Sequence, residues 1–203
     1  MALKAFGGQL FALYPERLPQ SLSRGFKSPF TPSDPHTILR DMSSALSYLA
    51  DKRIVHNDIK PASIAFSPSR GAVLLDFGLA MSSADNPGVK MTGGTPWYVP
   101  PGILSGERRG APADVWALGV TMLYVVGKIS LPEETTRSWI IKDVEDMSRE
   151  AYRRITEWLD IVDGGRQKLN RADQVGDLVY RMLEKQTQRQ DPGTPDIDFP
   201  REY

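Results

Sequence analysis

Four stretches of the chain predict helices: three have apolar residues at helical spacing, and one is apolar nearly all round. The first covers roughly residues 35–52 and follows Ser33-Asp34-Pro35, where a polar N-cap candidate and an early proline are typical of a helix start. The second, 113–127, is apolar nearly all round, as a buried central helix would be. The last two are amphipathic. The apolar positions of the third are Met147, Ala151, Ile155, Trp158, Leu159 and Val162, and those of the fourth are Val175, Leu178, Val179, Met182 and Leu183.

Three short apolar runs predict extended segments, at 54–55, 64–66 and 72–75. The last two are separated by Ser67-Pro68-Ser69-Arg70-Gly71, which carries turn chemistry, so we expect a small β-hairpin there. The stretches without periodicity are expected to be irregular: 15–35, 78–111 and 128–145. A loop as long as the second of these is usually functional inside a compact domain. The predicted fold class is therefore α+β, mainly helical, with one small β-hairpin.

Composition and charge narrow the function classes. The 203 residues are enough for one sizeable core, and 25 basic residues balance 25 acidic ones. A net charge of zero argues against a protein that grips nucleic acid or an anionic membrane through bulk charge. The chain has no cysteine and two histidines, which excludes disulfides and thiolate or His-rich metal sites. We expect a reducing compartment, the cytoplasm or the nucleus. No apolar run reaches transmembrane length.

The candidate chemistry lies on either side of the predicted hairpin. Asp58 and Lys60 stand two residues apart on the loop before it, so both side chains can point into one cleft. The carboxylate can orient a hydroxyl and accept its proton, and the ammonium can neutralise a phosphoryl group in transit. Asp76 follows the hairpin, whose ends meet, and we expect it to return close to Asp58. Mg²⁺ favours one or two carboxylates together with phosphate oxygens, a role that suits Asp76.

The stretch His56-Asn57-Asp58-Ile59-Lys60-Pro61-Ala62-Ser63 resembles the catalytic loop of eukaryotic protein kinases, and Asp76-Phe77-Gly78 resembles their metal-binding Asp-Phe-Gly. Further resemblances follow in the family's order, and these stretches carry them: 7–11 after the hinge, 94–101 at the end of the activation segment and 114–119 at the start of the central helix. The likeness runs from about Gly7 to about Leu183 and is specifically to the C-terminal lobe of a Ser/Thr protein kinase. Small-molecule phosphotransferases share the His-x-Asp loop, but they do not explain the second and third stretches.

The resemblance implies roles for the residues of the cleft. Asp58 would orient the hydroxyl of a protein substrate, Lys60 would contact the γ-phosphate of ATP, and Thr95 would bond to both side chains. Asp76 would hold Mg²⁺. Ser63 would be a weaker metal ligand, reaching Mg²⁺ through water, and the alternative that it binds nothing stays open.

Other matched residues would be structural or would bind the nucleotide. Asp114 would hold the backbone of the catalytic loop, and His56 would pack against Phe77 rather than act as a base. Ala65 would lie at the floor of the adenine pocket, where a larger apolar residue is usual. Trp116 and Trp158 would belong to the core.

The sequence also departs from the family's pattern. Asn57 replaces an arginine that normally pairs with a phosphorylated activation loop, which puts regulation through such a pair in doubt. Ser63 replaces a metal-binding asparagine. Gly102 replaces a glutamate whose partner would lie near Arg189.

The largest departure lies upstream of Gly7. That stretch has no Gly-rich phosphate loop, no strand lysine and no helix glutamate of the kind the family uses. We therefore expect that the N-terminal lobe is absent, that half the adenine pocket is missing, and that a parent chain or partner would supply or cover it. An unusually apolar surface should then surround four residues: Leu3, Phe6, Leu10 and Phe11. The expected division is a hinge-like segment 1–14, a kinase-like C-lobe 15–185 and a loosely held tail 186–203.

Two functions follow from these expectations. The first is ATP- and Mg²⁺-dependent phosphoryl transfer to Ser/Thr hydroxyls of a protein substrate, with the isolated chain inactive. The second is a catalytically inert, pseudokinase-like binding module or a truncated gene product, which would act through a partner protein. Neither involves nucleic acid or a membrane.

Overall fold

The computed structural model describes residues 2–3, 13–14, 18–23, 30–82, 93–105, 110–145 and 148–184. Its helices are α1 (Asp34–Asp51), α2 (Ala111–Val125), α3 (Pro132–Thr135), α4 (Ile141–Glu145), α5 (Arg149–Gln167) and α6 (Gln174–Met182). Its strands are β1 (Ala2–Leu3), β2 (Leu13–Tyr14), β3 (Ile54–Val55), β4 (Ile64–Ser67), β5 (Gly71–Leu74) and β6 (Met81–Ser82). The four helices expected from the pattern of apolar residues are therefore confirmed, and the mainly helical α+β class with them.

The central helix α2 organises the core. Every residue from Ala113 to Val125 is buried, and the helix contacts α1, α5 and α6. Gly119 permits the close approach of α6, because a Cβ at this position would lie 2.9 Å from Cδ2 of Leu183. Trp116 and Trp158 are both buried, as expected for core residues.

The start of α1 is stabilised differently from the expectation. The side chain of Ser33 forms no capping hydrogen bond. Instead, Oδ2 of the buried Asp34 accepts a bond of 2.6 Å from the backbone N–H of Thr31. The helix start at Ser33-Asp34-Pro35 is therefore confirmed with Ser33 at the N-cap position, although no side chain there bonds to the first turn of the helix.

The predicted hairpin is formed by β4 and β5, which pair antiparallel from Ile64↔Leu74 to Ser67↔Gly71. Its turn is held on α1, since Asp41 Oδ2 accepts a 2.9 Å bond from the N–H of Ala72. The other edge of β4 is also paired, because the N–H of Leu22 donates to Ile64 O at 2.9 Å. The irregular reading of 15–35 missed this pairing.

Two further sheets and two short helices were not expected. β1 pairs with β2, and β3 pairs with β6 through Ile54↔Ser82 and Val55↔Met81. The expectation that 128–145 is irregular is wrong, because this stretch contains α3 and α4. Leu131-Pro132-Glu133-Glu134 does carry a start signal, an early proline followed by first-turn acids, but four residues are too few to show a period.

Several expectations concern parts of the chain outside the described residues or side chains: the hinge-like match 7–11, the apolar surface around Leu3, Phe6, Leu10 and Phe11, the partner Arg189 and the tail 186–203. They stay predictions. Among the helices that the structure describes, none combines the length and the apolarity that crossing a membrane requires.

Candidate functional site

The loop 56–63 is anchored on the central helix. Asp114, which is buried in the first turn of α2, accepts two backbone bonds: from the N–H of His56 to Oδ2 at 2.6 Å and from that of Asn57 to Oδ1 at 2.9 Å. A carboxylate is well suited here, because buried N–H groups are costly to leave unpaired. The expected structural role of Asp114 is confirmed.

His56 links this loop to the segment that follows the hairpin. Its ring is fully buried, and Nδ1 accepts from the N–H of Asp58 at 3.3 Å. Nε2 therefore carries the proton and donates to Leu75 O at 2.9 Å. The ring also meets Phe77 edge-on, with 4.9 Å between ring centroids. His56 is thus a structural residue that packs against Phe77, as the sequence predicted.

Asp58, Lys60 and Thr95 form one hydrogen-bonded network. Nζ of Lys60 lies 2.6 Å from Asp58 Oδ2 and 2.7 Å from Thr95 Oγ1, and the Thr95 hydroxyl donates to Asp58 Oδ1 at 2.7 Å. The side chains of Asp58 and Lys60 are only 10% and 21% exposed, so water screens their attraction less than at an open surface. Each carboxylate oxygen has a second lone pair, and Asp58 can therefore still accept a bond from an incoming hydroxyl.

Ser63 closes the loop from within. Its buried Oγ accepts from the N–H of Lys60 at 3.0 Å and lies 3.0 Å from the carbonyl oxygens of Asp58 and Lys60. Its own carbonyl accepts from the N–H of Leu75 at 2.8 Å. The hydroxyl is therefore occupied in bracing the loop, and direct binding of a metal would require it to leave these bonds. Its role as a metal ligand stays a prediction.

Asp76 lies on the exposed side of the site. Its backbone is left-handed, at φ +60°, and its Oδ1 accepts a weak 3.4 Å bond from the N–H of Gly78. The hairpin brings its neighbour Leu75 to His56 and Ser63. The expected closeness of the Asp76 and Asp58 carboxylates stays a prediction. A small pocket lined by Asp58, Thr95 and neighbouring residues does not include Asp76. The carboxylate of Asp76 is thus free to meet a ligand from solvent.

Ala65 lies in β4 between the partners Val73 and Ser21, and it is fully buried. A nucleotide would reach its methyl group only after the residues that cover it move. Its position at an adenine floor stays a prediction.

Sequence reasoning missed Glu133, which lies in α3. The buried Tyr98 hydroxyl donates to both of its carboxylate oxygens, at 3.1 and 3.0 Å. Burial raises the pKa of Tyr98 well above its usual range, and the neighbouring Glu133 charge raises it further. Burial also raises the pKa of Glu133, while the bond from Tyr98 and the charge of Lys60 act against that rise. Glu133 therefore adjoins the site through Tyr98, which lines the same small pocket as Asp58 and Thr95.

The site combines a carboxylate, an ammonium and a hydroxyl in one hydrogen-bonded network. A second, exposed carboxylate follows the hairpin. Such a set of groups is suited to phosphoryl transfer. The family whose description is "Protein kinase domain" matches residues 9–191. Because this match spans most of the chain, the chain belongs to the protein kinase domain family, and its mainly helical fold is like that of a kinase C-terminal lobe. The resemblance to eukaryotic Ser/Thr protein kinases is confirmed, and the absence of an N-terminal lobe stays a prediction.

Individual relatives are similar over part of the chain. Serine/threonine-protein kinase PLK4 of Drosophila virilis is 33% identical over 128 residues, 61% of this chain and 16% of that protein. Calcium/calmodulin-dependent protein kinase cmkB of Emericella nidulans is 35% identical over 137 residues, 64% of this chain and 31% of that protein. The chain thus spans less than a third of either relative. The crystal structure of the yeast RNA Pol II CTD kinase CTDK-1 complex matches 49% of this chain and 33% of that one, at 27% identity and a TM-score of 0.44.

Proposed function

We propose that this chain contributes to ATP-dependent phosphoryl transfer to Ser or Thr hydroxyls of a protein substrate. The observation that carries the proposal is the network of Asp58, Lys60 and Thr95. Asp58 orients the substrate hydroxyl and accepts its proton. Lys60 faces the phosphoryl group as negative charge develops on it, and Thr95 keeps both side chains in register. The relatives named above carry kinase names, which supports the same reaction class.

The residues present fit a magnesium ion. Within the described part of the chain, no group of three or more His, Cys, Asp or Glu side chains could hold a metal by itself. Mg²⁺ does not need such a group, because it binds through one or two carboxylates together with phosphate oxygens. Asp76 offers an exposed carboxylate, whose bond among the residues that the structure describes is the weak one from the N–H of Gly78. When bound, the ion would neutralise phosphate charge, with Ser63 reaching it through water.

A second candidate function is a binding module of the same fold that transfers no phosphate. Two observations favour it: the methyl group of Ala65 is fully buried, and the hydroxyl of Ser63 is occupied within its own loop. In the first proposal Ala65 would face the nucleotide, and Ser63 would reach the magnesium ion through water. For either function we propose a protein partner. We also propose a cytoplasmic or nuclear location, which the lack of cysteine supports.

Titration with Mg-ATP tests these candidates. Ligand at a hundred times its dissociation constant should add about 2.7 kcal/mol to the free energy of unfolding of the full chain. Asp76→Asn keeps the shape of the side chain but removes the charge, and it should remove the magnesium-dependent part of this gain. The matched control is Asp160→Asn on α5, an exposed carboxylate away from the site, which should keep the gain.

Transfer is measured separately, as phosphate moved from ATP to a mixture of Ser- and Thr-containing peptides. Asp58→Asn should lower its rate by about 10²–10⁴ while nucleotide binding remains, because the general base is lost. Binding without transfer in the unaltered chain would support the binding module. A chain that gains no stability at millimolar Mg-ATP would contradict the phosphotransfer proposal.

A further inference from the structure

Asn57 has an unusual backbone for a non-glycine residue. Its φ is +68°, a left-handed conformation that asparagine tolerates better than most side chains. Its N–H donates to Asp114 on α2, so the main chain at this position is tied to the most buried helix of the fold. The backbone that carries the Asn57 side chain is therefore held in place by α2.

The carboxamide of Asn57 joins two other segments. Nδ2 lies 3.0 Å from the carbonyl oxygen of Leu79 and 3.4 Å from that of Val55. Val55 belongs to β3, and Leu79 follows directly after Asp76-Phe77-Gly78. An amide nitrogen has two hydrogens, so one group can serve both carbonyls. This contact lies just before the point where β3 and β6 begin to pair, at Val55↔Met81.

The segment 76–79 has little packing of its own to hold it. Phe77 is 50% exposed and Leu79 is 44% exposed, and Asp76 itself adopts a left-handed φ. On its near side the segment is held by His56, through the bond to Leu75 O and the ring contact with Phe77. On its far side it is held by the carboxamide of Asn57.

We propose that Asn57 is a positioning residue for Asp76: its carboxamide fixes the far end of the 76–79 turn against the loop 56–63 and so sets where the Asp76 carboxylate stands. The part that concerns magnesium rests on the proposed function. The part that concerns the turn rests only on the contacts above. The carboxamide is uncharged and bonds to carbonyl oxygens, so it needs no anionic partner to do this.

Two variants of the full chain separate the carboxamide from the backbone. Asn57→Gly accepts the left-handed φ without strain and removes the side chain. Asn57→Asp keeps the shape of the side chain but turns an oxygen instead of a donor towards the two carbonyls. In both variants we expect the N–H of Ala80, which bonds to Phe77 O at 3.1 Å, to exchange with solvent about threefold to tenfold faster, as loss of one hydrogen bond implies.

The reference amide is that of Leu75, which bonds to Ser63 O and should be unchanged. At fixed ATP, the apparent dissociation constant for Mg²⁺ should rise by about threefold to tenfold in both variants, a change that a purely structural role would not produce. Unchanged exchange at Ala80, or exchange that accelerates equally at Leu75 and along α2, would overturn the proposal. If the unaltered chain binds no Mg-nucleotide, the proposed function fails, while the exchange comparison still decides whether Asn57 positions the turn.

Discussion

At the scale of a single residue, Glu133 makes the stability of the folded chain depend on pH. Burial raises its pKa above the usual value of 4.5, so the folded chain binds a proton at this carboxylate more tightly than the unfolded chain does. The stability contributed by that proton is fully present below the usual pKa. It is lost as the pH rises through the higher pKa of the folded state.

This loss of stability with rising pH gives a prediction for Tyr98→Phe. The bond from the Tyr98 hydroxyl lowers the pKa of Glu133, so its removal should raise that pKa and shift the loss of stability to higher pH. The measurement is the free energy of unfolding in urea between about pH 4 and pH 7. Glu133→Gln cannot titrate and should flatten this part of the profile. A profile that keeps its slope in Glu133→Gln would show that another group titrates there.

The sequence predicts the chemistry of the site better than it predicts the contacts within the site. Asp58 and Lys60 could be predicted from the chemistry of a carboxylate and an ammonium two residues apart, whereas Thr95 was expected only from the resemblance to the kinase family. The bracing role of Ser63 could not be decided in advance, since a hydroxyl reaches either a metal-bound water or its own backbone. Glu133 was missed because only tertiary packing brings α3 to Tyr98, 35 residues away.

At the scale of elements, the turn of the β4–β5 hairpin depends on contact with α1. Gly71 has φ +83°, and a Cβ there would collide with the Asp41 carboxylate that holds the N–H of Ala72. Gly127 also has a positive φ, +68°, but a Cβ there would meet nothing within 4 Å. The two glycines therefore share the backbone strain of a substitution and differ in the collision.

Alanine at these two positions should separate strain from collision. Both substitutions carry a backbone cost of about 1–2 kcal/mol. Gly71→Ala should cost about 1–3 kcal/mol more, because Asp41 must leave the N–H of Ala72. Urea denaturation of the two variants measures the difference. Equal losses would show that Asp41 moves aside without cost.

Periodicity revealed the long elements and missed the short ones for a physical reason. α1, α5 and α6 each contain at least two turns, enough for buried positions to repeat, and α2 was recognised by its continuous apolar run. The strands β3 and β6 have two residues each and therefore show no period. The start of α1 was placed within a residue of its position, but the Ser33 hydroxyl at the N-cap makes no bond to the helix, and the Asp34 carboxylate bonds to Thr31 in the preceding turn. Which of two adjacent polar side chains bonds depends on backbone angles that sequence pattern does not specify.

At the scale of the whole molecule, one continuous apolar cluster joins the main helices. The buried side chains of α1, α2, α5 and α6 belong to it, and so do the tryptophans Trp97, Trp116, Trp139 and Trp158. Since all four indoles of the chain lie in this cluster, their fluorescence reports on the same packing that supports the helices.

Unfolding should therefore be a single transition. In urea, the midpoint measured by tryptophan fluorescence should coincide with the midpoint measured by far-ultraviolet circular dichroism. Trp139→Phe should leave the two midpoints together, although both move to lower urea as the buried indole is lost. A fluorescence transition that ran ahead of the dichroism would mean that the stretch around α3 and α4 unfolds separately.

The bond between Asp114 and the loop 56–63 has a consequence for synthesis of the chain. The carboxylate lies 58 residues after His56, so the ribosome has made the whole loop well before its anchor exists. Closing so long a separation costs chain entropy that only the docked central helix offsets. Asp58 and Lys60 therefore reach the arrangement of the folded chain only after α2 has been translated and packed, and a nascent chain stalled before that point contains both side chains without that arrangement.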